Sequence, residues 1–315
     1  MSIQSATNNN DETVNFLKKR KKVLSVAPVQ SFPALPSTVR TVLVLCGSLS
    51  SDANEIQRAV KSDFGMTLNL LKAINSAFYS VDKVPVMSIL HAIVLLGMDV
   101  VARIVLDMPR AKVNALKGSS KDIPNWLILC ARQVFSAHLG EAFAKYTDHD
   151  PEEVFYCSLF KNLGEVILSY SMEDSYQEYL RLLEEKRSWY AASRAVFGIT
   201  FDEFTFYLMK KWNLPRRLAD ILEVKKKARS VQILNRRNPI YLSVLVNELM
   251  DFASKKDLKA LKYQEAKRVQ LKKILNLSEN HMGLILRKEL DKINRSSPVY
   301  YEVLESIGLI QNLLV

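Results

Sequence analysis

The 315-residue chain is short of the residues that interrupt helices and of those that form disulfides. It has only 9 glycines and 10 prolines, and this scarcity favours helices over a turn-rich β fold. Its 3 cysteines form no Cys-x-x-Cys pair. We interpret Cys46, Cys130 and Cys157 as reduced thiols of the protein core, which is typical of a cytosolic protein.

The chain also lacks a long hydrophobic run. No apolar segment approaches the roughly 20 residues that span a bilayer as a helix. The N-terminal segment, MSIQSATNNNDETVNF, is too polar for a signal peptide. These absences predict a soluble, cytoplasmic protein. Hydrophobic residues make up 48% of the chain, which is ordinary for such proteins and sufficient for a sizeable core.

Motifs of several enzyme classes are missing as well. The sequence contains no Gly-x-Ser-x-Gly elbow, no Gly-x-x-x-x-Gly-Lys phosphate loop and no Gly-x-Gly-x-x-Gly dinucleotide motif. It has only 4 histidines. We interpret His91 and His138 as structural residues of the core or its boundary. His149 is expected in a solvated loop, and His281 is expected to be exposed.

Positive charge is in excess, since 44 Lys and Arg against 33 Asp and Glu give a net charge of +11. This excess is compatible with an acidic partner such as nucleic acid, an anionic membrane surface or an acidic protein. The densest basic run is Lys18–Lys22. We favour solvated helix faces over nucleic acid, because no helix-turn-helix and no alternation of aromatic and basic residues accompanies the basic groups.

Apolar residues repeat at helical spacing along the chain, and no alternating β pattern competes with them. The sequence therefore predicts an all-α protein with two helical lobes. A tail with a basic helix (1–24) precedes the first lobe (25–113). A polar segment (114–125) links this lobe to a second one that includes the C-terminal helices (126–315). Continuous helices are predicted at 151–169 and at 175–196, among others.

A series of short motifs follows one order along roughly residues 28 to 293. The motifs are Phe32-Pro33-Ala34-Leu35-Pro36, Asp63-Phe64-Gly65-Met66-Thr67, Leu70–Tyr79 with Asn75-Ser76, Ser88–Gly97, Ser158–Gly164, Phe197-Gly198 and Trp212-Asn213-Leu214-Pro215. Each is weak alone. The ordered series resembles the HDOD domains, bacterial signalling modules related to the HD phosphohydrolases. The resemblance implies an HD-like helical core in the second lobe.

Two of these motifs have a physical interpretation. Asn75-Ser76 is expected to end a helix and to bond nearby backbone, as short polar side chains do. The alternative is an amide that contacts a ligand. Gly97 is expected to adopt a positive φ at a helix end, where glycine is favoured.

In HD relatives, a metal-binding His-Asp pair stands where the resemblance places Lys161-Asn162 in this chain. Lysine cannot bind a metal while it is protonated, and asparagine offers only a neutral oxygen. Three further segments that hold histidines in relatives have none here, namely 126–130, 198–202 and 222–227. We therefore predict a pseudoenzyme that has lost the HD metal site and that uses no metal or cofactor.

The resemblance implies a regulatory module that binds other signalling proteins in trans, such as cyclic-dinucleotide enzymes, kinases or response regulators. A first alternative is a sensor that binds a cyclic dinucleotide in the vestigial pocket, with Lys161, Lys225 and Lys226 as anion-binding residues. A second alternative is a residual metal-dependent phosphohydrolase. A buried lysine needs a partner, and Glu165, on the same helical face, is the predicted partner of Lys161.

Overall fold

The computed structural model describes residues 4–26, 31–76, 85–113, 123–215, 218, 239–254 and 258–314. Within these ranges β pairing is limited to one bridge between Ala34 and Arg110, and the predicted all-α class is confirmed. The described helices are α1 (Gln4–Val26), α2 (Pro36–Cys46), α3 (Ala53–Lys61), α4 (Phe64–Ile74), α5 (Ile89–Leu96), α6 (Met98–Asp107), α7 (Asn125–Ala144), α8 (Pro151–Phe160), α9 (Leu163–Ser171), α10 (Glu173–Glu184), α11 (Trp189–Phe197), α12 (Phe201–Lys211), α13 (Pro239–Ala253), α14 (Leu258–Leu275), α15 (Glu279–Ser296), α16 (Pro298–Ser306) and α17 (Leu309–Leu314).

The chain divides into two compact units. The first unit consists of residues 1–30 and 162–211, and the second consists of residues 31–161 and 212–315. In the second unit, α7 packs most extensively against α8, and α13 packs against both of these helices. The division into lobes at 114–125 stays a prediction, and residues 114–122 of that segment lie outside the described ranges.

Two helices that the sequence predicts as continuous are broken. The predicted helix 151–169 is divided where α8 ends and α9 begins, and the predicted helix 175–196 is divided between α10 and α11. At the second break Lys186 has a φ of 62°, and the Ser188 side chain caps α11 by accepting from the Ala191 amide. Both predictions of a continuous helix are wrong, because apolar residues keep their helical spacing across each break and therefore do not show where a helix ends.

The predicted burial of the three cysteines is confirmed only in part. Cys130 and Cys157 are buried, but Cys46 is half-buried, so its assignment to the core is wrong. Cys46 is the last residue of α2, where a helix end leaves the packed interface.

Among the described residues, no single helix combines the length and the apolar character that crossing a membrane requires. Only α5 and α6 together do so, as a pair bent by 109°.

In the first unit, α1 is attached to α11. The Lys19 ammonium donates to the Ala195 carbonyl oxygen over 2.7 Å, and the Arg194 guanidinium lies 4.8 Å from the centre of the Phe16 ring. The helix begins at Gln4, so it occupies most of the segment in which the sequence predicts a tail and a basic helix. Packing of its C-terminal half stabilises a helix whose N-terminal sequence is polar.

Gly198 determines how closely α1 approaches α11. It ends α11 with a φ of 67°, and a Cβ atom there would lie 2.6 Å from the Phe16 carbonyl oxygen and 2.7 Å from the Arg20 nitrogen. We expect Gly198→Ala to loosen α1, because the left-handed conformation adds about 1–2 kcal/mol of strain and the clash involves backbone. Hydrogen exchange of the α1 amides should become faster. Unchanged exchange would contradict this role of Gly198.

Candidate functional site

The first two motifs of the series form one structure. A Cβ atom on Gly65 would lie 2.0 Å from the Pro33 carbonyl oxygen, so only glycine permits this approach. Asp63 joins the two motifs, since its carboxylate accepts from the Leu35 amide over 2.6 Å and from the Met66 amide over 2.8 Å. The same carboxylate thus caps α4 and orients the entry to α2, of which Pro36 is the first residue.

Asp63 is fully buried. Burial raises the pKa of its carboxyl to about 6, against the lowering effect of the backbone hydrogen bonds from Met66 and Leu35. Because the folded pKa lies above the ordinary value of 3.8, the contribution of this group to stability is complete at acidic pH and is lost as the pH rises through about 6. Asp63 therefore has a structural role that costs stability when the group ionises.

Asn75 acts as a clamp on the backbone that follows α4. Its side-chain oxygen accepts from the Val86 amide over 2.6 Å, and its side-chain nitrogen donates to the Val86 carbonyl over 2.7 Å and to the Leu71 carbonyl over 2.9 Å. Ser76 follows in a bend after the helix end. These contacts support the structural interpretation of the Asn75-Ser76 motif over a ligand-contacting amide.

Two glycines of the series have local structural roles. Gly97 joins α5 to α6 with a φ of 77°, as the sequence predicts. Gly164, in α9, permits close contact with α12, because a Cβ atom there would lie 2.5 Å from the Phe201 carbonyl oxygen. The Gly164 amide donates to the Thr205 hydroxyl over 2.8 Å. Gly97 thus permits a positive φ, and Gly164 permits a close backbone contact.

The last motif of the series is buried in the second unit. Trp212, Leu214 and Pro215 are all shielded from solvent. The Lys72 ammonium lies 4.2 Å from the centre of the Trp212 ring, a distance typical of a cation–π contact. Burial lowers the pKa of Lys72 to about 8. The motif thus contributes an aromatic ring that shields a partly desolvated cation.

Lys161 and Asn162 occupy the joint between α8 and α9. Lys161 is the residue after the last turn of α8 and is only 4% exposed. Asn162 is half-buried and precedes the first residue of α9. A buried ammonium repels a metal cation, and an amide is a poor substitute for a carboxylate as its ligand. The residues at this joint therefore do not fit the metal that the HD relatives bind.

The predicted pairing of Lys161 with Glu165 stays a prediction. Glu165 accepts a hydrogen bond from the Tyr176 hydroxyl over 2.8 Å within the first unit. The other two predicted anion-binding residues, Lys225 and Lys226, lie outside the described residues. Any role of these lysines in ligand binding is likewise a prediction.

The histidines lie apart from the Lys161-Asn162 joint in sequence. His91 is exposed on the outer face of α5, so its assignment to the core or boundary is wrong; Ile89, Ala92 and Ile93 form the buried face. His281 is exposed, as predicted. In the part of the chain that the structure describes, no group of three or more His, Cys, Asp or Glu side chains is arranged to hold a metal.

Sequence reasoning missed a buried cluster in the second unit. The Lys61 ammonium lies 2.6 Å from the Glu141 carboxylate, and it also lies 3.9 Å from the centre of the Phe155 ring. His138 is 3% exposed, with Nδ1 3.6 Å from the other Glu141 oxygen. The spacing of His138 and Glu141, three residues apart on one helix, could have predicted their contact from the sequence. Lys61 could not be predicted in this way, because it lies 80 residues from Glu141.

The chain is similar to a known protein family and to solved protein structures. The family model described as "HDOD domain" matches residues 32–228. The chain is similar to the MmoQ response regulator from Methylococcus capsulatus str. Bath, with 18% identity, a TM-score of 0.61 and coverage of 82% of this chain and 99% of that one. It is also similar to a virulence factor from Campylobacter jejuni subsp. jejuni, with 18% identity, a TM-score of 0.56 and coverage of 90% and 96%. No curated protein matches significantly.

Proposed function

Because this chain belongs to the HDOD domain family, we propose that it is a non-catalytic signalling module that binds other signalling proteins in trans. The observation that carries the proposal is the chemistry of the α8–α9 joint. Lys161, which is 4% exposed, and Asn162 stand in place of a metal-binding His-Asp pair. The segments 126–130, 198–202 and 222–227 supply no imidazole that would compensate.

The signalling part of the proposal has support from a similar structure. MmoQ, which shares the fold over 82% of this chain, is named a response regulator. Fold similarity alone does not transmit function, so the proposal rests first on the loss of metal-binding chemistry. A helical core that lacks metal-binding side chains can still present a surface that binds another protein.

The predicted absence of phosphohydrolase activity is directly testable. We expect the purified full chain to hold iron, manganese and zinc well below one ion per chain, and to leave bis(p-nitrophenyl) phosphate intact when these metals are added. The variant Lys161→His/Asn162→Asp should also stay inactive, because one His-Asp pair cannot bind a catalytic metal without the other ligands. Stoichiometric metal together with hydrolysis by the unaltered chain would instead establish a residual metal-dependent phosphohydrolase.

Partner binding is tested by affinity capture from nuclease-treated lysate at low and high salt. We expect one or two regulatory proteins to remain bound at high salt, since a specific interface persists when exposed charges are screened. A matched control replaces three exposed lysines of α1, Lys18, Lys21 and Lys22, with glutamine. Captured proteins that disappear with this variant or with salt are electrostatic bystanders, and recovery of only such proteins would count against the proposal.

A sensor for a cyclic dinucleotide is the second candidate function. The observation that favours it is the buried ammonium of Lys161, at the place where the resemblance puts a metal-binding pair, since a buried positive charge attracts a phosphate group. In this proposal Lys225 and Lys226 extend the anion site. Calorimetry with cyclic di-GMP tests it, and binding that is lost in Lys161→Met would support the sensor over the adaptor.

A further inference from the structure

A cavity of about 780 Å³ lies in the second unit among α2, α3, α7, α8 and α15. Its size is within the range of pockets that hold small organic ligands. The cavity lies at the start of α8, where Glu152 forms part of its wall. Lys161 is nine residues further along that helix, a separation of roughly 14 Å at the rise of an α-helix. The cavity is therefore distinct from the α8–α9 joint.

A buried imidazole forms part of the cavity wall. His138 is 3% exposed. Its Nδ1 lies 3.6 Å from a Glu141 oxygen, and its Nε2 has no hydrogen-bond partner among the described residues. Burial lowers the pKa of His138, so at neutral pH the ring is uncharged, with one nitrogen as a donor and the other as an acceptor. A buried polar group without a partner is costly, and a ligand in the cavity would supply the missing hydrogen bond.

The carboxylates that line the cavity are already engaged by protein donors. Glu141 pairs with Lys61, and Glu55 belongs to the capping box of α3. Asp150 caps α8. Glu152 accepts hydrogen bonds from three side chains, those of Gln57, Ser88 and Tyr156. Lys61 compensates the charge of Glu141, whereas the hydrogen bonds to Glu55, Asp150 and Glu152 come from uncharged donors, which orient these carboxylates and leave their charge in place.

The arginine side chains at the cavity differ from these carboxylates in their contacts. Arg58 and Arg295 both line it, and both are exposed. In the described part of the chain neither forms an ion pair; Arg295 donates from Nε to the Asp291 carbonyl. Lys292 adds a further positive charge, with a 3.4 Å contact to Glu289. Arginine forks suit carboxylate and phosphate groups, which they bind through two parallel hydrogen bonds.

We propose that this cavity binds a small organic anion, whose carboxylate or phosphate group contacts Arg58 and Arg295 and whose uncharged polar part reaches His138. The guanidinium groups of Arg58 and Arg295, which form no ion pair among the described residues, favour an anionic group on the ligand. The volume limits the ligand to about the size of a nucleotide, and the buried imidazole provides a directional contact. The inference does not depend on partner binding, so either proposal can fail without the other.

Calorimetry with the full chain tests this inference. The probes are guanosine monophosphate for the phosphate class, citrate for the carboxylate class and guanosine as the uncharged control. We expect at least one of the two anions to bind and guanosine not to bind. Arg58→Gln/Arg295→Gln should weaken binding by at least about tenfold, because each lost contact is a charge-assisted hydrogen bond. The proton signals of the His138 ring should shift as the anion is added.

Arg287→Gln is the matched control, since Arg287 is exposed on α15, the same helix as Arg295, and does not line the cavity. Its affinity for the anion should equal that of the unaltered chain. The inference is overturned if neither anion binds at millimolar concentration, or if Arg287→Gln weakens binding as much as the double variant. Loss of binding in Lys161→Met, with full affinity in the double variant, would also overturn it and would place the anion at the α8–α9 joint.

Discussion

Replacing Gly65 with alanine is expected to lower the free energy of unfolding by about 3 kcal/mol, the upper part of the range for forcing an extra carbon into a packed site. The added Cβ would lie 2.0 Å from the Pro33 carbonyl oxygen, 2.8 Å from the Pro33 carbonyl carbon and 3.2 Å from the Phe32 ring. The first two atoms are backbone, so a change of side-chain rotamer cannot relieve the clash. Urea denaturation, followed by circular dichroism, measures the loss.

Gly283→Ala is the control for this prediction. Gly283 lies within α15, and a Cβ atom there would meet nothing within 4 Å. Alanine is favoured over glycine inside a helix by up to about 1 kcal/mol, so this variant should be as stable as the unaltered chain or more stable. Equal stability of the two alanine variants would show that the approach of Pro33 does not require glycine at residue 65.

Replacing Lys61 with methionine is expected to destabilise the protein by about 3–5 kcal/mol, because removal of one partner leaves the other charge of a buried ion pair uncompensated. The side chains of Lys61 and Glu141 are 7% and 21% exposed. The double variant Lys61→Met/Glu141→Leu should recover most of the loss, since apolar residues of similar volume often replace a buried ion pair without cost. A double variant no more stable than Lys61→Met would contradict the account.

The same pair predicts a dependence of stability on pH. Burial raises the pKa of Glu141, but His138 and Lys61 more than offset this effect, and the pKa falls to about 2 from an ordinary value of 4.5. Because the folded pKa is the lower one, the stabilisation from Glu141 is present above pH 4.5 and is lost as the pH falls towards 2. Denaturation at several pH values should show a smaller loss on acidification in Lys61→Met than in the unaltered chain.

The helical class and the motif series were accessible from the sequence for a local physical reason. Apolar spacing and capping residues act within a few positions, so Ser88 at the start of α5 and Gly97 at its end are visible in the sequence. The breaks after α8 and α10 were not accessible in the same way. Apolar spacing continues through both, and the positive φ at Lys186 involves a residue with no preference for that conformation.

The candidate sites also differ in whether the sequence alone could predict them. The prediction that Lys161-Asn162 stands in place of a His-Asp pair rests on residue identity alone. The cavity beside His138 was missed, because three of its five contributing helices, α2, α3 and α15, are distant in sequence from α7 and α8. No periodicity or motif predicts which side chains from separate helices meet.

The sequence by itself determined that the chain is helical and that it has the HDOD motif series, within which Lys161-Asn162 lies. These properties follow from residue identity and short-range spacing. Only the tertiary structure decided that Gly65 must lack a side chain, that Lys61 meets Glu141, and that His138 is buried beside a cavity. Each of these depends on which atoms a distant part of the chain brings within a few ångströms, and long-range packing is what a local pattern does not contain.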